Sequence, residues 1–570
     1  MASTDPLLSD QGEEEWDMDK LEPLSSQPAP PPRRSVVLRL VIVVSVITLT
    51  LLGITVAAML SPLGEEPPTT SQAKNETKIQ QQIQQQPRNV IFMISDGLGP
   101  ASVSFARTYY QYIHNKPYDY EMPLDTIHVG QSRTRSASTL VTDSAAGATA
   151  FSCGLKTYNR GIGVDPQRKP CGTIMESAKM HLGMKTGLVA TSRITHATPA
   201  SFNSHVVDRD NENAIAVQQV GDNPLAMHVD LMFGGGYCHF LPKSSKEGCR
   251  GDERNLFDEA IANYNWSTVQ YGNRSAWDAL PADNASALPA ISLFSSGHMS
   301  YEIDRDASQQ PSLSEMTDKA LQMLSNATKE GEKGFFLMVE GSRIDMAAHS
   351  NDPAAHVHDI LEYQDTVALV KAFVDQNPNT LLISTSDHET GGLSLARQVS
   401  NRYPKYLWYP DVLKNIKSST AELARKIQHM DADAKVQNVK DNLGITDITD
   451  DEKKSLAKPT SVKHLDQFLA DMVSLRSQLG WATHGHSGVD VNLYAYGHSA
   501  KELRGSRENT AIGLFLAKRL GLDLNTITLK LNENDPQFHL APLTEEMKIE
   551  YTDHLDQYHH DERLLHHPHF

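Results

Sequence analysis

The chain predicts an α/β fold: a doubly wound, mostly parallel central sheet with helices on both faces. Three continuous apolar runs of strand length each end in an acidic residue followed by glycine, and long helical stretches separate them. Runs without alternating polarity suit strands covered on both faces. The first, Asn89-Val90-Ile91-Phe92-Met93-Ile94-Ser95, delivers Asp96-Gly97-Leu98-Gly99. The second, Phe335 to Val339, ends at Glu340-Gly341, and the third, Thr380 to Thr385, ends at Asp387-His388-Glu389-Thr390-Gly391-Gly392. Helices are expected over Ser314 to Thr328 and Ala354 to Phe373. Ligands in such sheets bind beyond the carboxyl ends of the strands, so Asp96, Glu340 and Asp387 are expected on one rim.

The chemistry is expected at Val141-Thr142-Asp143-Ser144-Ala145-Ala146-Gly147-Ala148-Thr149. An acid, a serine and a run of small residues mark a tight helix start, with Asp143 or Ser144 at the N-cap. The free N–H groups and positive dipole end of such a start attract anions. Three carboxylates on one rim raise each other's pKa unless cations separate them. Donors for cations are present: Asp345 and His349 at i and i+4, Asp387-His388, and the late Thr483-His484-Gly485-His486-Ser487-Gly488. Mixed Asp and His ligands suit zinc, whereas Asp96, Glu340 and a threonine form an all-oxygen set suited to magnesium.

The 570 residues, 39% hydrophobic and 21% charged, describe a large globular body, and a net charge of −18 excludes a nucleic-acid binder. Residues 1–35 are acidic and Pro-rich, a disordered tail in which Asp5-Pro6-Leu7-Leu8 matches an acidic dileucine signal for a sorting adaptor. Within 36–61, Leu40 to Leu60 carries no charge and is long enough to span a bilayer core of ~30 Å as a transmembrane signal anchor. Arg33, Arg34 and Arg39 precede it and Glu65 and Glu66 follow, which places the N-terminus in the cytosol and the body in a lumen. Residues 62–88 read as a stalk, 89–550 as the folded body, and the His-rich 551–570 as a flexible tail. Sequons at Asn75, Asn265, Asn273, Asn284 and Asn326 agree with a lumenal body. Four cysteines in two local groups predict the disulfides Cys153–Cys171 and Cys238–Cys249, since short loops close most readily.

Ser95-Asp96-Gly97-Leu98-Gly99, Asp143-Ser144-Ala145-Ala146-Gly147, His196-Ala197-Thr198-Pro199-Ala200, Val339 to Asp345, Thr385 to Gly392 and the late His-Gly-His together resemble the alkaline phosphatase family, over about Asn89 to Leu516. With its anchor and lumenal body the chain is most similar to the vacuolar, membrane-anchored members of fungi. The resemblance implies hydrolysis of phosphate monoesters of broad specificity through a phosphoserine on Ser144, with two zinc ions and one magnesium. It implies one zinc on Asp345, His349 and His486, the other on Asp387, His388, Asp96 and Ser144, and magnesium on Asp96, Thr198 and Glu340. Arg209 would grip phosphate oxygens bidentately. Asp143 and His196 would act from behind these groups. His196 stands where bacterial members often carry Asp, and Met346 where others carry Lys or His near the phosphate. The resemblance further implies that about 401–481 forms a crown-like insertion at a homodimer interface, that the site is the lumen of a vacuole, and that the C-terminal tail is removable.

His484 and His486 compete for one zinc position, because residues spaced by two share a side of an extended strand. Thr483-His484-Gly485 favours the first; Gly488 and Asp490-Val491 favour His486, which is assigned because its spacing to the next strand needs no gap. The alternatives are a phosphodiesterase or sulfatase on the same core, and an inactive lumenal binding protein. A sulfatase needs a modifiable Cys or Ser in a Pro- and Arg-containing motif, which the Ser144 segment lacks, and an inactive relative would have lost ligands that are all present.

Overall fold

A computed structural model describes residues 86–328 and 333–533. The expected tail, sorting signal, anchor, Asn75, most of the stalk and the His-rich C-terminus lie outside those residues. Among the described residues, no helix is long and apolar enough to cross a membrane.

The strands are β1 Asn89–Ile94, β2 His128–Arg133, β3 Lys185–Arg193, β4 Leu231–Gly235, β5 Thr268–Tyr271, β6 Ala290–Leu293, β7 Phe335–Glu340, β8 Thr380–Thr385, β9 Glu389–Thr390, β10 His486–Ser487, β11 Val491–Gly497 and β12 Gly505–Glu508. Ten form one sheet in the order β12-β2-β11-β8-β1-β7-β3-β4-β6-β5, while β9 and β10 pair separately. All pairings in the large sheet are parallel except those of β11, which runs antiparallel to β2 and β8. The three expected acid-bearing strands are therefore the adjacent trio β8-β1-β7 at the centre. Their boundaries shift slightly: Ser95 lies beyond β1, and Glu340 is itself the last residue of β7.

Every residue of β1 is buried, and its side chains alternate between two cores. Ile91 and Met93 join one cluster, Val90, Phe92 and Ile94 the other. This is the physical content of an unbroken apolar run: each face meets helices, not water. On the first face lie Leu313–Asn326 and Pro353–Gln376, close to the two expected helices. The second starts earlier than the apolar pattern suggests because Pro353 sits in its first turn and the Asp352 carboxylate accepts from the Ala354 and Ala355 amides. On the other face lie Ile174–Leu182 and Asn509–Leu520, with Ser144–Cys153 beside them.

The segment 401–481 is helical over Thr420–Ile427, Ala432–Leu443, Asp450–Ala457 and Val462–Ser477. Its Leu423, Ile427, Leu465, Leu469 and Val473 belong to the same core as the helix Pro353–Gln376. The insertion thus extends the first face. Both expected disulfides are present, Cys153–Cys171 and Cys238–Cys249. The second uses up the thiols beside His239, so that trio is no thiolate metal site.

Candidate metal centre and active site

Asp96, Glu340 and Asp387 all sit at the carboxyl ends of the central strands and are fully buried. Burial, with Asp387, Asp345 and Glu340 nearby, holds the Asp96 carboxyl well above the usual carboxylate range. Burial likewise pushes Glu340 and Asp387 up to about 7. Three acids in one dry rim cannot ionise together without cations. Gly97 makes the approach possible: its φ is +74°, and a Cβ there would lie 2.7 Å from the Asp345 backbone.

Ser144 opens the helix Ser144–Cys153, and its N-cap is Asp143. One Asp143 carboxylate oxygen accepts from the Ala146 amide at 2.9 Å; the other accepts from the Arg160 amide at 2.9 Å and from Arg209 Nη1 at 3.0 Å. Asp143 therefore fixes the serine and the arginine at once. The second Arg209 nitrogen, Nη2, lies 3.2 Å from His196 Nε2. His196 is thus behind Arg209 rather than at the reacting centre. Burial first, then the Arg209 charge, holds its pKa well below the ordinary value, so it stays neutral and accepts that bond.

His388 Nε2 lies 3.0 Å from Ser144 Oγ, 3.4 Å from Asp96 Oδ1 and 3.3 Å from Asp387 Oδ2. Its other nitrogen is 3.2 Å from Thr390 Oγ1, which donates to Asp345 Oδ1 at 2.5 Å. With its hydroxyl proton committed to Asp345, Thr390 can only accept from His388, which puts the proton on Nδ1 and leaves the Nε2 lone pair facing the acids and the serine. The second group is Asp345, His349 and His486. His349 Nε2 is 3.3 Å from Asp345 Oδ2 and 3.2 Å from His486 Nε2, and His486 Nε2 is 3.7 Å from Asp345 Oδ1. His486 Nδ1 donates to the Thr142 carbonyl at 2.7 Å, which ties this group to the serine segment.

The third group gathers Asp96, Glu340 and Thr198. Among the described residues, both Asp96 oxygens, Glu340 Oε1, Thr198 Oγ1 and Asp387 Oδ2 are buried without a hydrogen-bond partner. Buried polar atoms almost always find partners, so five orphans converging on one rim fit divalent cations. The donor chemistry differs as expected: nitrogen and oxygen in the first two groups, oxygen alone in the third; His196 lies close to Asp96 and Glu340, but with Nε2 accepting from Arg209 its Nδ1 carries the proton and offers a cation no lone pair.

One expectation is corrected. His484 and His486 do not share a side of a strand: only His486 and Ser487 pair, opposite Thr390 and Glu389. The Gly485 amide donates to Thr483 Oγ1 and its carbonyl accepts from the Gly391 amide, and this turn leaves the His484 ring exposed. Met346 accepts from Arg343 Nη1 through its sulfur at 2.8 Å. Sequence reasoning missed Ser192, whose hydroxyl donates to Glu340 Oε2 at 3.1 Å, Ser342, which accepts from the Ser192 amide, and Thr390 as the link between His388 and Asp345. Thr390 lay inside a quoted motif; the two serines carried no spacing signal.

A doubly wound sheet whose strand-end acids, histidines and an N-capped serine converge on orphaned buried oxygens defines a metal-dependent hydrolase centre. The alkaline phosphatase family profile matches residues 87–522, and the chain belongs to that family. It is 44% identical to the repressible alkaline phosphatase of Saccharomyces cerevisiae over 83% of this chain and 88% of the relative. It is 47% identical to the alkaline phosphatase of Schizosaccharomyces pombe, over 80% and 85% respectively. The crystal structure of the cold-active alkaline phosphatase of the psychrophile Shewanella sp. superposes with a TM-score of 0.63 at 31% identity, covering 76% of this chain and 99% of that one. The protein is an alkaline phosphatase, a metal-dependent hydrolase of phosphate monoesters.

Proposed function

We propose that hydrolysis proceeds through a phosphoserine on Ser144, served by two zinc ions and one magnesium. The observation that carries this reading is the approach of Ser144 Oγ to 3.0 Å from His388 Nε2, inside the ring of orphaned acids. Asp345, His349 and His486 would hold one zinc, Asp387, His388 and Asp96 the other beside Ser144, and Asp96, Thr198 and Glu340 the magnesium. When bound, such ions supply Lewis acidity, which stabilises charge on the attacking and leaving oxygens.

The chain's own residues do the rest. Arg209, held by Asp143 on one nitrogen and His196 on the other, presents its guanidinium to two phosphate oxygens as a fork. The helix start behind Ser144 adds its free N–H groups and dipole. Ser144 Oγ attacks phosphorus as the alcohol oxygen of the substrate departs; water then attacks the phosphoserine and Ser144 leaves as the hydroxyl, releasing inorganic phosphate. Acid-quenched enzyme incubated with labelled phosphate should carry label on Ser144, and Ser144→Ala should carry none. A variant that still labels covalently removes Ser144 from this role. Parallel assays on a phosphomonoester, a diester and a sulfate ester separate this reading from its superfamily alternatives.

The setting is read from the sequence and the resemblance. The uncharged run Leu40 to Leu60 after three arginines supports a single-pass anchor with a lumenal body, and the exposed positions of Asn265, Asn273, Asn284 and Asn326 suit N-glycans. The vacuolar membrane and a homodimer rest on family likeness alone. Protease treatment of sealed vesicles should clip only the tail before Arg39, and sedimentation of the detergent-solubilised protein should give two chains.

A further inference from the structure

We infer that His484 is a positioning residue for His349, acting through a two-way clamp between the helix Arg343–Ser350 and the loop that returns from the insertion. The inference rests on the proposed role of His349 as a zinc ligand. His349 Nδ1 donates to the His484 carbonyl at 2.5 Å, and His484 Nδ1 donates to the His349 carbonyl at 2.8 Å. Two residues 135 positions apart thus exchange ring-to-backbone bonds in both directions.

Each half of the clamp has a separate physical reason. A carbonyl can only accept, so the bond from His349 places the ring proton on Nδ1 and leaves the Nε2 lone pair toward Asp345 and His486. The His349 carbonyl belongs to the last turn of its helix, where backbone oxygens lack intrahelical partners; the Asn351 amide takes only the Ala347 and Ala348 carbonyls. The His484 ring satisfies the next carbonyl in line. Backbone bonds hold the loop in place for this contact: the Ala482 and Thr483 amides donate to the Gly391 carbonyl, and the Gly391 amide donates to the Gly485 carbonyl. The ring of His484 therefore fixes the height of the helix end relative to the carbonyl that orients the His349 imidazole. The His484 ring is exposed and its Nδ1 is committed to the His349 carbonyl, which distinguishes it from a ligand.

The test uses the full-length enzyme loaded with zinc and measures release into a chromogenic chelator, with metal content by elemental analysis. His484→Ala is expected to bind a full complement of zinc yet release one ion per chain about tenfold faster than the unsubstituted enzyme. Its far-UV circular dichroism and metal-free melting temperature should stay unchanged. His484→Asn, whose amide N–H can reach the same carbonyl, is expected to restore slow release. Release at the normal rate from His484→Ala, or no rescue by Asn, overturns the clamp. Outright loss of one zinc on His484→Ala makes His484 a ligand and overturns it too. His486→Ala serves as the control: if that variant keeps its full zinc, the reading of the site falls, and the clamp with it.

Discussion

Two of the places where the described residues bury carboxylates completely do so in opposite ways. Glu176 lies beneath the face of the sheet that carries the serine helix. One of its oxygens accepts from the Thr173 amide at 2.8 Å, closing a capping box. The other accepts from His205 Nε2 at 2.8 Å, with His228 Nε2 at 3.9 Å. His205 in turn donates to the Gly163 carbonyl at 2.7 Å. At the rim, Asp96, Glu340 and Asp387 are as deeply buried, yet four of their oxygens have no hydrogen-bond partner among the described residues. The protein satisfies the first acid with its own donors and leaves the others open. Burial alone therefore does not mark a site; burial without partners does.

The largest effect should come from Asp387→Ala. Loss of a ligand carboxylate removes metal-supplied stabilisation of several kcal/mol, on the order of 10³-fold or more in kcat. The metal-free protein should be no less stable than before, because one of three mutually repelling acids is gone. A variant that loses stability without metal as well as activity would make the rim an ordinary structural cluster.

Glu176→Ala should do the reverse. Removing one partner of a buried pair costs about 3–5 kcal/mol. Denaturant melts should show it, while the folded fraction keeps its zinc and its turnover. pH sharpens the contrast. Glu176 lies below its ordinary 4.5: burial opposes this, but the charge and hydrogen bond of His205 outweigh it. Its contribution is therefore complete above about pH 4.5 and is lost as pH falls through the lowered value. His205 is shifted up from 6.5 by the Glu176 charge, against burial, so its part is complete below about 6.5 and fades as pH rises through the raised value. Glu176→Gln should remove the acid limb of the stability profile.

The smallest of these changes should follow from Cys153→Ser with Cys171→Ser. That bridge, spanning 18 residues, ties the far end of the serine helix to the segment that begins the Glu176 helix. Its loss should cost about 2–4 kcal/mol in the melt and leave metal content unchanged. Loss of zinc on removing this bridge would mean that the two regions are not independent.

The central trio of strands was legible because each run is apolar on both faces and ends in an acid, which leaves few other structures open to it. A helix cap at Asp143 or Ser144 was legible from one acid, one serine and the small residues that follow; the structure selects Asp143. The end of the sheet was not legible: the edge strand β12 and its neighbour β2 are half exposed, and sequences such as Gly505-Ser506-Arg507-Glu508 carry no apolar period. Nor were Ser192, Ser342 and Thr390, since a hydroxyl that orients a ligand needs only to be nearby in space. The two late histidines were misjudged as neighbours on one strand, because no local pattern announces a turn made by hydrogen bonds to Gly391, nearly a hundred residues away.

The rim is tested most directly by stripping metal from the purified full-length protein and following melting temperature and phosphomonoesterase activity together. The expected result is that chelation abolishes activity and lowers the melting temperature, and that zinc with magnesium restores both, the thermal gain growing with metal concentration as preferential binding to the folded state requires. A chelated, metal-free protein that retains its activity, or melts no lower than the loaded one, would contradict the assignment of those orphaned carboxylates to cations.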